Sequence, residues 1–141
     1  MTLNPQYTNA VKQAEATAFL AALDAGTAAI ITIYSGVQPT GADVALTGTL
    51  LATLTCSATA GVVSDAAPGA LLTFSAITPD SSAAATGTAT HFRILTQAGG
   101  TVIMDGSVGT VTTDLVLNSE VITAGVAVAC SSFTILWPEG S

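Results

Sequence analysis

The sequence has 141 residues, of which 50% are hydrophobic and only 8% are charged, whereas ordinary soluble domains carry about 25% charged residues. Nine acidic residues against two basic ones, Lys12 and Arg93, give a net charge of −7. Because binding nucleic acid through its phosphates needs several cations, we exclude that class and expect no nucleic-acid partner. So few charges indicate either a surface of Thr, Ser and Ala or a surface hidden in an assembly, and we favour the assembly.

The chain is expected to be a single domain with no membrane segment. Its length suits one domain with a sizeable core. No apolar run reaches the roughly 18 residues that a membrane helix needs, and residues 1–9 lack the basic stretch and apolar core of a secretion signal. We therefore expect no membrane partner.

The N-terminal part, residues 1–26, is predicted to be an extended arm followed by a helix. Thr8 or Asn9 suits the N-cap, residues 10–24 are rich in helix formers, and Gly26 supplies a stop. The helix packs either on the protein's own sheet or on a neighbouring subunit. Two adjacent stripes run along it, one of Val11, Ala14, Ala18 and Ala22 and one of Glu15, Phe19 and Leu23.

The remainder, residues 27–141, is predicted to form the β-sandwich part of this single domain. Alternating, Gly-punctuated segments favour a mainly β fold, an antiparallel β-sandwich or jelly-roll-like barrel with one N-terminal α-helix. Residues 28–34 are apolar on both faces, which favours a central strand. A change of apolar parity in the last strand indicates a bulge near Ser131 and Ser132. Other strands are predicted at residues 49–57, 62–63, 70–75, 110–116, 121–122 and 126–137, and a short helical turn at residues 42–46.

Residues 87–110 are predicted to contain a β-hairpin. Strand alternation places Phe92 and Ile94 on the core face, with His91 and Arg93 on the other. The turn is expected at residues 97–100, where glycines allow positive φ. The second strand is expected to end at Asp105.

Few residues suggest chemistry, and we predict no catalytic, cofactor-binding or metal-binding residue and no cofactor. His91 is the only histidine, and with Arg93 it is expected to form an exposed or interface pair. The acidic residues expected at turns, where Asp bonds local backbone, are Asp24, Asp43, Asp65, Asp80, Asp105 and Asp114. No loop is dense enough in carboxylates for a calcium site.

Cys56 and Cys130 are the only cysteines. Both stand in apolar, strand-like stretches, which favours buried, reduced thiols with a structural role. A single disulfide is the alternative, although two cysteines make no disulfide framework.

Several segments are considered together: IYSGVQP at residues 33–39, GTLLATL at 48–54, residues 85–110, and DLVLNS at 114–119 with Phe133, Thr134 and Ile135. Together they resemble a family of small tailed-bacteriophage virion proteins. The similarity covers roughly residues 10–138, and its motifs are turn glycines and strand faces. His91 stands where the relatives favour an aromatic residue.

The resemblance implies a non-enzymatic structural component of a tailed-phage virion that is assembled in the host cytoplasm, with capsid decoration as the expected role. It implies partners among other copies of this chain, a trimer being the expected form, and the major capsid protein or other virion proteins. The N-terminal arm and helix are expected to contribute to these contacts. The alternatives are a tail or baseplate component and a small β-sandwich adhesive or carbohydrate-binding module.

Overall fold

A computed structural model describes residues 5–66 and 69–138, and the predicted mainly β class is confirmed. The first residues of the predicted arm, 1–4, lie outside the described residues. The elements in chain order are α1 (Asn9–Leu23), β1 (Ile30–Tyr34), β2 (Leu50–Thr55), β3 (Gly61–Asp65), β4 (Ala70–Phe74), β5 (Gly87–Thr88), β6 (His91–Leu95), β7 (Val102–Gly109), β8 (Leu115–Leu117), β9 (Val121–Ile122) and β10 (Cys130–Trp137).

The main sheet has the strand order β2-β1-β6-β7-β8-β10-β4-β3, and β5 pairs with β9 in a separate ribbon. Every neighbouring pair in the main sheet is antiparallel except β7 and β8, which run parallel. The sheet curls so that its two halves face each other, which agrees with the predicted sandwich or barrel architecture. As expected from its two apolar faces, β1 lies between two neighbours, β2 and β6.

Three phenylalanine rings join the two halves in the core. Phe92 on β6 meets Phe133 on β10 edge to face, with 5.3 Å between ring centroids. Phe133 also stacks on Phe74 of β4 at 4.3 Å. The bulge predicted near Ser131 and Ser132 is confirmed by a register shift between Cys130 and Ser132, and beyond it Phe133 is buried in this core.

Helix α1 packs on the protein's own sheet, against β3, β4 and β10. Thr8 is its N-cap, with its side chain accepting a hydrogen bond from Val11 N, and the helix ends at Leu23. Of the two predicted stripes, the one with Phe19 and Leu23 faces the sheet, because Leu23 is fully buried and Phe19 packs against the core, whereas Val11 in the other stripe is exposed. Ala is apolar enough for either environment, so the alanines in the pattern did not identify the packed face.

The hairpin prediction is confirmed in its core face and its tip. Phe92 and Ile94 are fully buried, and Gly99 at the tip adopts a positive φ of 70°. The expected end at Asp105 is wrong, because β7 continues through Gly106 to Gly109. Gly106 lies directly opposite Phe92, and a Cβ there would lie 2.5 Å from the phenyl Cε1 atom. Glycine at this position therefore makes room for the ring rather than ending the strand.

The predicted strand at residues 110–116 is largely wrong. After Gly109 the chain makes a five-residue loop that brings it beside β7 in the parallel direction, and β8 starts only at Leu115. Thr112 in this loop has a φ of 46°, a conformation that few non-glycine residues adopt. The Asp114 carboxylate closes the loop by accepting hydrogen bonds from the Ser107 backbone N–H and hydroxyl. The expected helical turn at residues 42–46 is instead a turn in which Val44 N donates to Gly41 O.

Replacing Gly106 by Ala should lower the free energy of unfolding by about 1 to 3 kcal/mol, the usual cost of overpacking a core. Gly41→Ala is the matched control, because nothing lies within 4 Å of a Cβ at Gly41. Denaturant unfolding measures both variants. Equal stabilities for the two variants would contradict the opposition of Gly106 and Phe92.

Candidate functional site

A polar cluster lies on the outward face of β1, β6 and β7. The strand registers align Thr32 with Arg93 and Asp105 in one row, and Tyr34 with His91 in the next. His91 is 0% exposed and Arg93 is 7% exposed. The expectation that this pair is exposed or lies at an interface is therefore wrong, because another part of the same chain covers it.

The covering segment is residues 35–49, which we call the cover loop. Its ends are joined by a hydrogen bond from Ser35 N to Thr49 O. Val44 O accepts a 2.7 Å hydrogen bond from Arg93 Nη2. Gly48 lies next to the imidazole, since a Cβ there would lie 3.4 Å from His91 Cε1. No residue of the loop is itself buried.

Arg93 and Asp105 form a bidentate ion pair across the hairpin. Nε donates to Oδ1 at 2.6 Å and Nη2 donates to Oδ2 at 2.8 Å. The hydrogen bond to Asp105 raises the pKa of Arg93. The two side chains are 8% and 3% exposed, so both charges are buried and each satisfies the other. Such a pair orders the two strands and leaves neither group free for acid–base chemistry.

The tautomer of His91 is assigned from the hydrogen bonds around it. Thr90 Oγ1 donates a 2.7 Å hydrogen bond to the carbonyl oxygen of Gly36, and the same hydroxyl lies 3.0 Å from His91 Nδ1. Because a hydroxyl has one proton to give, Thr90 accepts from Nδ1–H, and Nε2 is the unprotonated nitrogen. Within the described residues, Nε2 is buried and has no hydrogen-bond partner. The ring stacks on Tyr34 with 5.5 Å between centroids.

Burial lowers the pKa of His91 below its ordinary value of 6.5, the negative charge of Asp105 opposes this, and the positive charge of Arg93 adds to it. A histidine whose pKa is lower in the folded state binds fewer protons there than in the unfolded chain. The contribution of neutral His91 to stability is therefore complete above about pH 6.5 and is lost as the pH falls toward the folded-state pKa.

Two of the acidic residues expected at turns, Asp24 and Asp80, bond to distant backbone. Asp24 Oδ1 accepts from Ala60 N, at the start of β3. Asp80 Oδ2 accepts from Thr53 N on the edge strand β2, while its Oδ1 makes the local bond to Ser82 N. Within the part of the chain that the structure describes, no group of three or more His, Cys, Asp or Glu lies together in a way that could hold a metal ion.

Three surface clefts formed by the described residues lie away from the polar cluster. Their volumes are about 240 to 370 Å³, and none of the three is lined by His91, Arg93 or Asp105. These clefts therefore give no substrate access to the titratable groups of the cluster. Its arrangement suits a structural role beneath the cover loop.

A second feature is the outward face of β8, β10, β4 and β3, which carries no charged residue. The strand registers align Val62, Thr73 and Thr134 in one row, and Ser64, Leu71 and Leu136 in the next. Val62 is 64% exposed and Leu136 is 55% exposed. We call this surface the neutral face, and its residues are Val62, Ser64, Leu71, Thr73, Val116, Ser132, Thr134 and Leu136.

Comparisons with known proteins found no matching family model, no matching curated protein and no matching solved structure. No helix in residues 5–66 and 69–138 is both long enough and apolar enough to cross a membrane. The buried polar cluster and the neutral face are therefore the features of the protein that bear on its function.

Replacing Asp105 by Ala should lower the free energy of unfolding by about 3 to 5 kcal/mol, because it leaves the Arg93 guanidinium buried and unpaired. The control is Asp43→Ala, which removes an exposed carboxylate whose charge acts on Arg93. Substitutions of exposed residues usually change stability by about 0.5 kcal/mol or less. Chemical denaturation measures both losses, and similar values would argue against a buried ion pair.

The two thiols should differ in reactivity. Both are free, Cys56 is buried and Cys130 is partly exposed. Burial, with smaller contributions from Cys130 and Asp24, raises the pKa of the Cys56 thiol to about 12. Since the thiolate is the reactive form, iodoacetamide should modify Cys130 before Cys56 in the native protein, and both once it is unfolded. Mass spectrometry under non-reducing conditions measures the modification of each thiol. A stoichiometric disulfide between Cys56 and Cys130 would refute the prediction.

Proposed function

We propose that the protein is a non-enzymatic structural subunit that associates with other copies of itself through the neutral face. The observation that carries this proposal is the distribution of charge. Both basic residues are buried, Lys12 at 5% and Arg93 at 7% exposure, and each is paired with an acidic residue. The accessible charges of the described residues are consequently acidic.

An acidic surface makes most contacts between identical copies repulsive, since like charges oppose one another. The neutral face has no such charge, and it exposes the side chains of Val62 and Leu136. Exposed apolar residues in a common patch mark protein–protein contact surfaces. A second copy is the occupant that this face suits, because it brings a neutral surface to a neutral surface.

We further propose that the assembly is part of a tailed-phage virion, with capsid decoration as the first role and a tail or baseplate component as the runner-up. This step depends on the resemblance of residues 33–39, 48–54 and 85–110 to small virion proteins. The major capsid protein or a neighbouring virion protein is the corresponding partner.

A carbohydrate-binding or adhesive module is less well supported. Such a site needs several exposed aromatic rings on one surface. Here Tyr34 stacks on buried His91, Trp137 packs edge to face on Phe19 of the helix, and Tyr7 lies against the Lys12 ammonium. These rings stand in separate contacts and do not form a common platform.

Sedimentation should show concentration-dependent association of the full-length protein in the micromolar range, and a charge on the neutral face should abolish it. The test variants are Val62→Asp and Leu136→Asp. Val37→Asp is the control, because Val37 is 81% exposed and lies in the cover loop, outside the neutral face. Truncation of residues 1–24 is a poorer test, since it would remove Leu23 from the core.

A wild-type protein that stays monomeric across this range would overturn the self-association. Loss of association in all three variants alike would overturn the assignment to the neutral face. For the virion role, mass spectrometry of purified tailed-phage particles should find the chain at a fixed copy number, and its absence from particles would exclude that role.

A further inference from the structure

The cover loop lies over the polar cluster and is hydrogen-bonded to Arg93 and to Thr90, the residue before His91. None of its own side chains is buried. It is tied down by the hydrogen bonds of Val44 O to Arg93 and of Gly36 O to Thr90. Segments with few buried contacts open at low cost in free energy, before the rest of the fold.

His91 lies under the cover loop, and one of its two ring nitrogens has no hydrogen-bond partner among the described residues. Its Nδ1–H is used by Thr90, and Nε2 is a buried acceptor with no donor facing it. A buried polar atom without a partner costs free energy and requires an explanation. The cost rises when Nε2 gains a proton, because the ring then carries a positive charge and a buried N–H with no acceptor.

We propose that His91 is a pH-sensitive latch: protonation of Nε2 opens the cover loop and exposes the outward face of β1 and β6. In the open state Nε2–H bonds to water and the imidazolium is solvated. The closed state is therefore favoured at neutral pH, and acidification shifts the population toward the open state. The proposal is independent of self-association, since the neutral face is on other strands.

The charged and titratable groups around His91 come from each element packed against it. Tyr34 on β1 stacks on the ring, and Arg93 on β6 is a cation that opposes a second positive charge. Asp105 on β7 favours protonation, but both of its oxygens already accept from Arg93. In the cover loop, Asp43 is exposed and its charge acts on Arg93.

The test is hydrogen exchange of the full-length protein, read by NMR between about pH 7.5 and pH 5, which brackets the ordinary histidine pKa of about 6.5. Protection of the Ser35 and Val44 amides, which donate to Thr49 O and Gly41 O, should fall on acidification, after correction for the intrinsic exchange rate. The size of the fall depends on how much higher the pKa of His91 is with the loop open than with the loop closed. Each unit of that difference should lower the protection by about tenfold in total. Protection in β10 should stay constant over the same range.

The same sample reports the imidazole, because the chain has a single histidine. Ring nitrogen spectra should show Nδ1–H at neutral pH, with a titration midpoint that matches the loss of loop protection. A ring that carries its proton on Nε2 would overturn the proposal. So would a ring that titrates while loop protection is unchanged.

His91→Asn is the matched variant, because its amide nitrogen can replace Nδ1–H as donor to Thr90 and does not titrate. Its loop protection should not depend on pH, whatever its absolute level. A pH-dependent loss equal to that of the wild type would assign the effect to another group and refute the latch. If this variant does not fold, the match between ring titration and loop protection in the wild type decides alone.

Discussion

The contact of Phe92 with Phe133 joins the two halves of the curled sheet, and the rest of the fold depends on it. Phe92 can occupy its position only because Gly106, opposite it on β7, has no side chain. Phe133 faces it on the inner side of β10, beyond the bulge at Cys130 and Ser132. With so few aromatic residues in the chain, these rings supply much of the large apolar surface in the core.

The distribution of charge likewise depends on very few residues. One of the two basic residues, Arg93, is used inside the structure, where it pairs with Asp105 and holds the cover loop through Val44. A buried ion pair contributes little net stability because desolvation offsets the attraction. We interpret this pair as fixing the register of β6 and β7. The consequence is a surface without exposed positive charge among the described residues, on which neutral patches are the places where copies can meet.

The sequence predicted the elements that depend on short-range patterns. Alternation identified the buried face of β6, with Phe92 and Ile94, because strand side chains alternate whatever the neighbouring strand is. The sequence predicts a helix cap at Thr8 or Asn9, and Thr8 is the cap, because capping depends on the next three residues. The change of parity at Ser131 and Ser132 predicts the bulge. The sequence leaves open which stripe of α1 packs on the sheet, since alanines suit either environment.

The sequence by itself therefore determined a mainly β chain with one capped helix, a central hairpin and too few charges for an ordinary surface. Only the tertiary structure decided the site. A hairpin closed at Thr96 and Thr101 without irregularity would put Met104 opposite Arg93, and the register shift next to Ile94 puts Asp105 there instead. The burial of His91 likewise depends on residues 35–49, more than 40 positions away in the chain. Both are long-range effects, because a register and a covering loop are fixed by packing between segments and not by the residues beside them.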